Sequence, residues 1–114
     1  MKQLSESKIE AMDTLLEAIK TDYERWSNRR PNDGYGDIKD KMVEEFNENL
    51  AYTVGSKYIK VMSKRSVWGF IVNTENDKKF QDGDLLMAAS WAAPARNFPR
   101  ANIFKEYAVR WAGA

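Results

Sequence analysis

"KYIKVMSKRSVWGFIVN", residues 57–73, decides the fold. Val, Ile, Tyr, Trp and Phe crowd two runs, Lys57 to Ser63 and Ser66 to Asn73, with Lys64-Arg65 between them. β-Branched and aromatic side chains fit a pleated, half-buried surface, so the stretch predicts a hairpin with Lys64-Arg65 at its tip. Strict two-residue alternation puts Val67 and Ile71 on one face and Trp68, Phe70 and Val72 on the other. Both faces are apolar, whereas a strand with one wet face alternates apolar and polar. A sheet built on this hairpin needs cover on both sides. Barrel closure, the long segment 91–106 or another molecule could each supply it.

Upstream the period changes. Ile9, Met12, Leu15, Leu16, Ile19, Tyr23 and Trp26 recur at three- and four-residue steps, predicting an amphipathic helix over 5–28. Ser7 and Glu10 have capping-box spacing, and Arg25, Arg29 and Arg30 oppose the helix dipole at its far end. Residues 28–36 form a turn-rich break. A second helix is expected from Asp37, a good N-cap, to Leu50, with Ile38, Met42, Phe46 and Leu50 on its buried edge. Downstream, Gln81-Asp82-Gly83-Asp84 reads as a tight turn and Asp84 to Ser90 as a third strand, with Leu85 and Met87 opposed to Leu86 and Ala88. Tyr107 to Trp111 reads as a short fourth strand. Helices followed by strands define an α+β chain: two N-terminal helices packed on a small antiparallel sheet or partly closed barrel of about four strands. Trp26, Phe46, Trp68 and Phe70 are expected in the core.

A chain of 114 residues makes one domain, 1–114. The net charge of +1 conceals a division. Residues 1–54, the helical half, carry eight Lys and Arg against twelve Asp and Glu, and residues 55–114, the β-rich half, carry ten against five. An acidic cover and a basic binding half are one consequence of such asymmetry; mutual attraction of the halves is another. The absence of Cys excludes disulfides and thiolate sites, and the absence of His excludes catalytic triads, a histidine general base and histidine-ligated metals. Neither a metal nor a cofactor is expected, and the reading is of a protein that is not an enzyme. No apolar run approaches the ~20 residues that span a bilayer, and Met1 to Glu6 lacks the apolar core of a signal peptide, so a cytosolic protein is expected.

The chemistry concentrates in "ASWAAPARNFPRAN", residues 89–102. This stretch has no period, and long aperiodic loops in small domains are often functional. Pro94 and Pro99 stiffen it. Arg96 and Arg100 suit bidentate contact with phosphate or carboxylate, Trp91 and Phe98 could stack on bases, and Asn97 and Asn102 could bond base edges. The competing reading makes Trp91 and Phe98 plugs on the second sheet face, with the arginines reaching to solvent. We therefore expect a rigid lobe anchored by Trp91 and Phe98, with Arg96 and Arg100 offered to a partner. Lys57, Lys60, Lys64 and Arg65 form a basic cluster able to track a nucleic-acid backbone, although lysines also protect edge strands from pairing. Gly34 to Lys39 lacks the strand and further glycines of a phosphate loop and reads as a helix connector. Asp82 and Asp84 read as turn residues before hard-cation ligands, and Glu44, Glu45 and Glu48 as the wet face of the second helix.

"KYIKV", "SVWGFIV", "KFQDGDLLMAASWAAPARNFPRANIF" and "YAVRWAGA" together resemble a group of small tailed-phage proteins. Their shared C-terminal pattern has a lysine-rich strand, a K-F-x-x-G-D turn, an A-A-S-W-x-A-P-A-R-N run and a final W-x-G. The resemblance covers the last half of the chain, with "AASWAAPARN" its specific part. It implies a phage accessory protein made in the cytoplasm of the host bacterium, and it brings no activity or site residues. The expectation is a non-enzymatic protein that binds and inhibits or redirects a host defence or nucleic-acid-processing protein. Direct nucleic-acid binding through the basic half is the alternative, and nucleotide binding or sequestration a weaker one. No membrane partner is expected.

Overall fold

A computed structural model describes residues 4–28, 36–63, 66–111 and 113–114, without the side chains of 28 and 36–40. Two helices, α1 (Glu6–Asn28) and α2 (Gly36–Asn49), precede five strands: β1 (Leu50–Val54), β2 (Tyr58–Ser63), β3 (Ser66–Val72), β4 (Asp84–Leu86) and β5 (Ala101–Asn102). The strands lie in sequence order and every adjacent pair is antiparallel. The fold is α+β, as expected, with an open five-stranded sheet in place of a barrel or a four-stranded one. No helix among the described residues is long and apolar enough to cross a membrane.

α1 begins one residue later than expected and is capped by Ser5 rather than Ser7. The Lys8 amide donates to Ser5 Oγ at 3.2 Å and the Ile9 amide to the Ser5 carbonyl at 2.9 Å. Met12, Leu15, Ile19 and Tyr23 form the buried stripe, while Ile9 is exposed. α2 ends at Asn49, whose side-chain amide donates to the Glu45 carbonyl at 2.7 Å. Leu50 does not close that helix. It opens β1, pairing with Ser63, and is buried there. A Leu four residues past Phe46 satisfies the helical period and the strand equally well, so the period hid the boundary.

The first core joins α1 to one sheet face through Met12, Leu15, Ile19, Leu50, Ile59, Val61, Trp68, Ile71, Leu85 and Ile103. Trp68 and Ile71 share this face, contrary to simple alternation. Val61 pairs with Gly69 but Met62 pairs with Val67, so Trp68 is the extra residue of a β-bulge. One inserted residue inverts the side-chain parity on either side of it. Val67 accordingly joins Phe70, Val72, Phe80 and Leu86 on the second face. Phe80 and the segment after β4 supply that face's cover from within the chain.

Of the four aromatics expected in the core, Trp68 and Phe70 are buried. Trp26 and Phe46 are half-buried, in a group with Tyr23 and Trp111. The expected strand Tyr107 to Trp111 is not one. Its backbone is held by side chains instead: the Arg110 carbonyl accepts from Trp68 Nε1 at 2.7 Å, and the Trp111 amide donates to Asp22 Oδ2 at 2.9 Å. The edge beside β4 is occupied by β5, and the expected third strand stops at Leu86.

Lys8 fixes the helix layer over the sheet. It is only 8% exposed, and its Nζ donates to Asn73 Oδ1 and to Asp82 Oδ1, each at 2.9 Å. The turn 81–84 receives it. The Gln81 amide donates to Asp84 Oδ2 at 2.9 Å, and Gly83 takes φ +89°, a left-handed conformation that only glycine adopts without cost. Asp82 and Asp84 thus serve the turn and its contacts. No group of His, Cys, Asp or Glu among the described residues is arranged to hold a metal ion.

Candidate partner-binding surface

β4 ends where the chain leaves the sheet to form the lobe 87–100. Its backbone is hydrogen-bonded within itself and back to β4. The Ala89 and Ser90 amides donate to the Ala93 carbonyl, Ala88 bridges Pro94, the Ala95 amide donates to the Met87 carbonyl at 2.7 Å, and the Arg100 amide donates to the Leu85 carbonyl at 2.7 Å. A tight loop with Trp91 at its tip results.

Arg96 does the anchoring expected of the aromatics. Its guanidinium grips Asp77 through two bonds, Nη1 to Oδ2 at 3.0 Å and Nη2 to Oδ1 at 2.9 Å. Nη1 also donates to the Tyr58 hydroxyl at 2.6 Å, and the guanidinium carbon lies 4.8 Å from the Phe80 ring centroid. Asp77 is prepared to receive it, because its Oδ1 also accepts the Lys79 and Phe80 amides at 2.8 and 2.9 Å. The Arg96 hydrogen bonds, then these amides, hold the Asp77 carboxyl well below the usual carboxylate range, and Asp77 in turn raises Arg96. Lys79 Nζ completes the clasp on the Arg96 carbonyl. Arg96 is therefore spent on holding the lobe, and its charge is neutralised where a partner's anion was expected.

Trp91 and Phe98 do not plug the sheet. They are 57% and 52% exposed, and Met87 is 44% exposed. Each is met by a cation. Lys60 Nζ stands 4.0 Å from the Trp91 ring centroid, and Arg100 stacks its guanidinium 4.1 Å from the Phe98 centroid while Nη2 reaches Met87 Sδ at 3.2 Å. Beside the Lys60–Trp91 pair lies a shallow groove of about 330 Å³, floored by Tyr58 and Phe70 and walled by Thr53, Lys57, Lys60 and Ala92.

The remaining expected contacts divide. Lys57 is exposed beside that groove. Asn97 is exposed, but its Oδ1 accepts the Phe98 amide at 2.8 Å and shapes the loop. Asn102 is buried and cannot be offered to a partner. Its Nδ2 donates to the Asp82 carbonyl at 3.1 Å and to Asp84 Oδ1 at 2.9 Å, and its Oδ1 accepts the Phe104 amide at 2.9 Å. Lys64 and Arg65 lie outside the described residues, as do residues 29–35 of the expected helix connector. Sequence reasoning missed the exposure of Met87 and the pairing of Asp77 with Arg96. Asp77 precedes Lys79 and Phe80 at the spacing of an Asx turn, the one local signal it carried.

A scan against protein-family models and searches of curated proteins and solved structures find no match to this chain.

Proposed function

We propose that this chain is a non-enzymatic phage accessory protein that binds a host protein, and that the surface formed by Met87, Trp91, Phe98, Arg100, Lys57 and Lys60 is where the partner docks. One observation carries this reading: three of the large exposed apolar side chains fall within 87–98, and two of them lie under cations. Exposed apolar clusters rimmed by polar groups mark interaction sites, and Trp, Arg and Met are enriched at protein interfaces. The lobe's backbone bonds and the Arg96 clasp present these side chains in one arrangement, which limits the ordering cost of binding. Lys57, Lys60 and Arg100, which make no ion pair among the described residues, favour an acidic partner surface. The resemblance of residues 57–114 to tailed-phage proteins supports a bacterial host as the partner's source.

Nucleic acid is the weaker ligand for this surface. The faces of Trp91 and Phe98 are already met by cations, and Arg96 is neutralised by Asp77. The test is capture from nuclease-treated bacterial lysate, followed by a direct affinity measurement with the captured protein. Trp91→Ala and Arg100→Ala should each weaken that affinity about 10-fold or more while leaving the melting temperature unchanged. Binding indifferent to both substitutions places the partner elsewhere. Binding to DNA or RNA with a steep salt dependence replaces the protein partner with a nucleic-acid one.

A further inference from the structure

β1 is the outer strand of the open sheet, and Leu50 to Val54 carry none of the devices that close an edge. The strand has no charge, proline or glycine, and all five residues pair with β2 without a register shift. Natural sheets guard their edges with such devices because an unpaired row of N–H and C=O groups is a template for another chain. The opposite edge differs: β5 is two residues long, and its Asn102 is buried.

The free groups of β1 can be named. The Gly55 amide donates to the Tyr58 carbonyl at 2.9 Å, so Gly55 and Tyr58 form a hydrogen-bonded pair. Such pairs alternate along an antiparallel ladder, which makes Thr53 with Lys60 and Ala51 with Met62 the next two. Tyr52 and Val54 therefore turn their N–H and C=O groups away from β2. Among the described residues no strand lies beyond them, and no group outside the sheet bonds to either.

We propose that the free edge of β1 receives an extended acidic segment of the partner protein as a sixth strand. This rests on the reading of the lobe as a docking surface and names the form in which that partner's chain arrives. The main-chain row fixes the conformation, because an extended backbone meets both donors and both acceptors at the spacing of a strand. The charge follows from the side chains. Thr53 pairs with Lys60 and shares its sheet face, so the added residue opposite Thr53 projects on the side of Lys60 and the groove next to Trp91. Lys57 is exposed just past the Val54 end. Among the described residues no carboxylate lines that groove, and neither lysine makes an ion pair. An acidic side chain on the added strand complements both.

The probe is a capped peptide alternating glutamate with valine over about six residues, a usual strand length. Its controls are the lysine counterpart and a fully N-methylated glutamate peptide, which has no backbone donors. Backbone amide resonances report the site. Saturable shifts at the Tyr52 and Val54 amides are expected, with slowed hydrogen exchange at both. The lysine peptide should bind at least about 5-fold more weakly, and the N-methylated one should give no saturable shift. Val54→Pro removes an outward N–H and no ladder bond, and should weaken the glutamate peptide about 5-fold. Should Val54→Pro unfold the protein, the two control peptides decide alone. Absence of a saturable shift, equal binding of either control, or a response confined to the Trp91 indole overturns the proposal. Shifts at Tyr52 and Val54 that grow with protein concentration alone give the edge to a second copy and overturn it too. The lobe has its own test in Trp91→Ala against the captured partner, so either reading can fail without the other.

Discussion

Replacing Lys8 by Met should cost about 2–3 kcal/mol of folding stability. Lys8 Nζ makes two bonds at 2.9 Å, one to the buried Asn73 and one to the carboxylate of Asp82. Hydrogen bonds to charged groups contribute about 1.5–3 kcal/mol each. Two corrections lower the sum. The Asp82 side chain is 21% exposed and regains water when its partner leaves, and Met retains the apolar stem that Lys buries. Asn73 is fully buried, and it sits where β3 leaves the sheet. The cost should therefore come mainly from the Asn73 side. Asp82→Asn, which keeps an acceptor and loses only charge, should cost about 1 kcal/mol. Urea melts followed by far-UV circular dichroism measure both, and for a domain of this size the Lys8→Met loss corresponds to a fall in Tm of about 10 °C. A Lys8→Met protein within about 0.5 kcal/mol of the parent would refute the view that this contact seats α1 on the sheet.

Three further outcomes follow from the geometry. Trp68→Ala should cost about 3–5 kcal/mol, whereas Trp91→Ala should stay within about 0.5, measured side by side in denaturant; the reverse order would exchange core and surface. Gly83→Ala should lose about 1–2 kcal/mol from the backbone alone, since φ +89° is retained, and a Cβ there would stand 2.7 Å from the Phe104 ring; an unchanged melt would mean that the turn relaxes freely. The folded-state pKa of Asp77 is depressed below its unfolded value of about 4, so the clasp's contribution is complete above about pH 5 and falls away as pH drops from there toward the folded value. Asp77→Asn should therefore be less stable than the parent at pH 7 and converge with it in acid, and parallel pH profiles would exclude Asp77 as the titrating group.

The layers of this protein were legible in its sequence because they are written in local periods. A three-to-four step over Met12, Leu15, Ile19 and Tyr23, and β-branched runs around Ile59 and Ile71, specify a helix and a hairpin before any long-range contact forms. The apolar second face of β3 was legible too. What tertiary structure decided is parity, partnership and exposure. A single bulged residue moved Trp68 to the helix-facing side, and alternation cannot register one insertion in a partnered strand. β1 and β5 are short and exist because β2 and β4 offer them hydrogen-bonding edges. Arg96 and Arg100 are the same residue type four positions apart in one loop. One is consumed by Asp77 and the other left on the surface, because only the folded chain brings residue 77 beside residue 96. Trp91 and Phe98 had the composition of core residues. They remain in solvent, and Phe80, from the opposite side of the turn 81–84, packs on the second face instead.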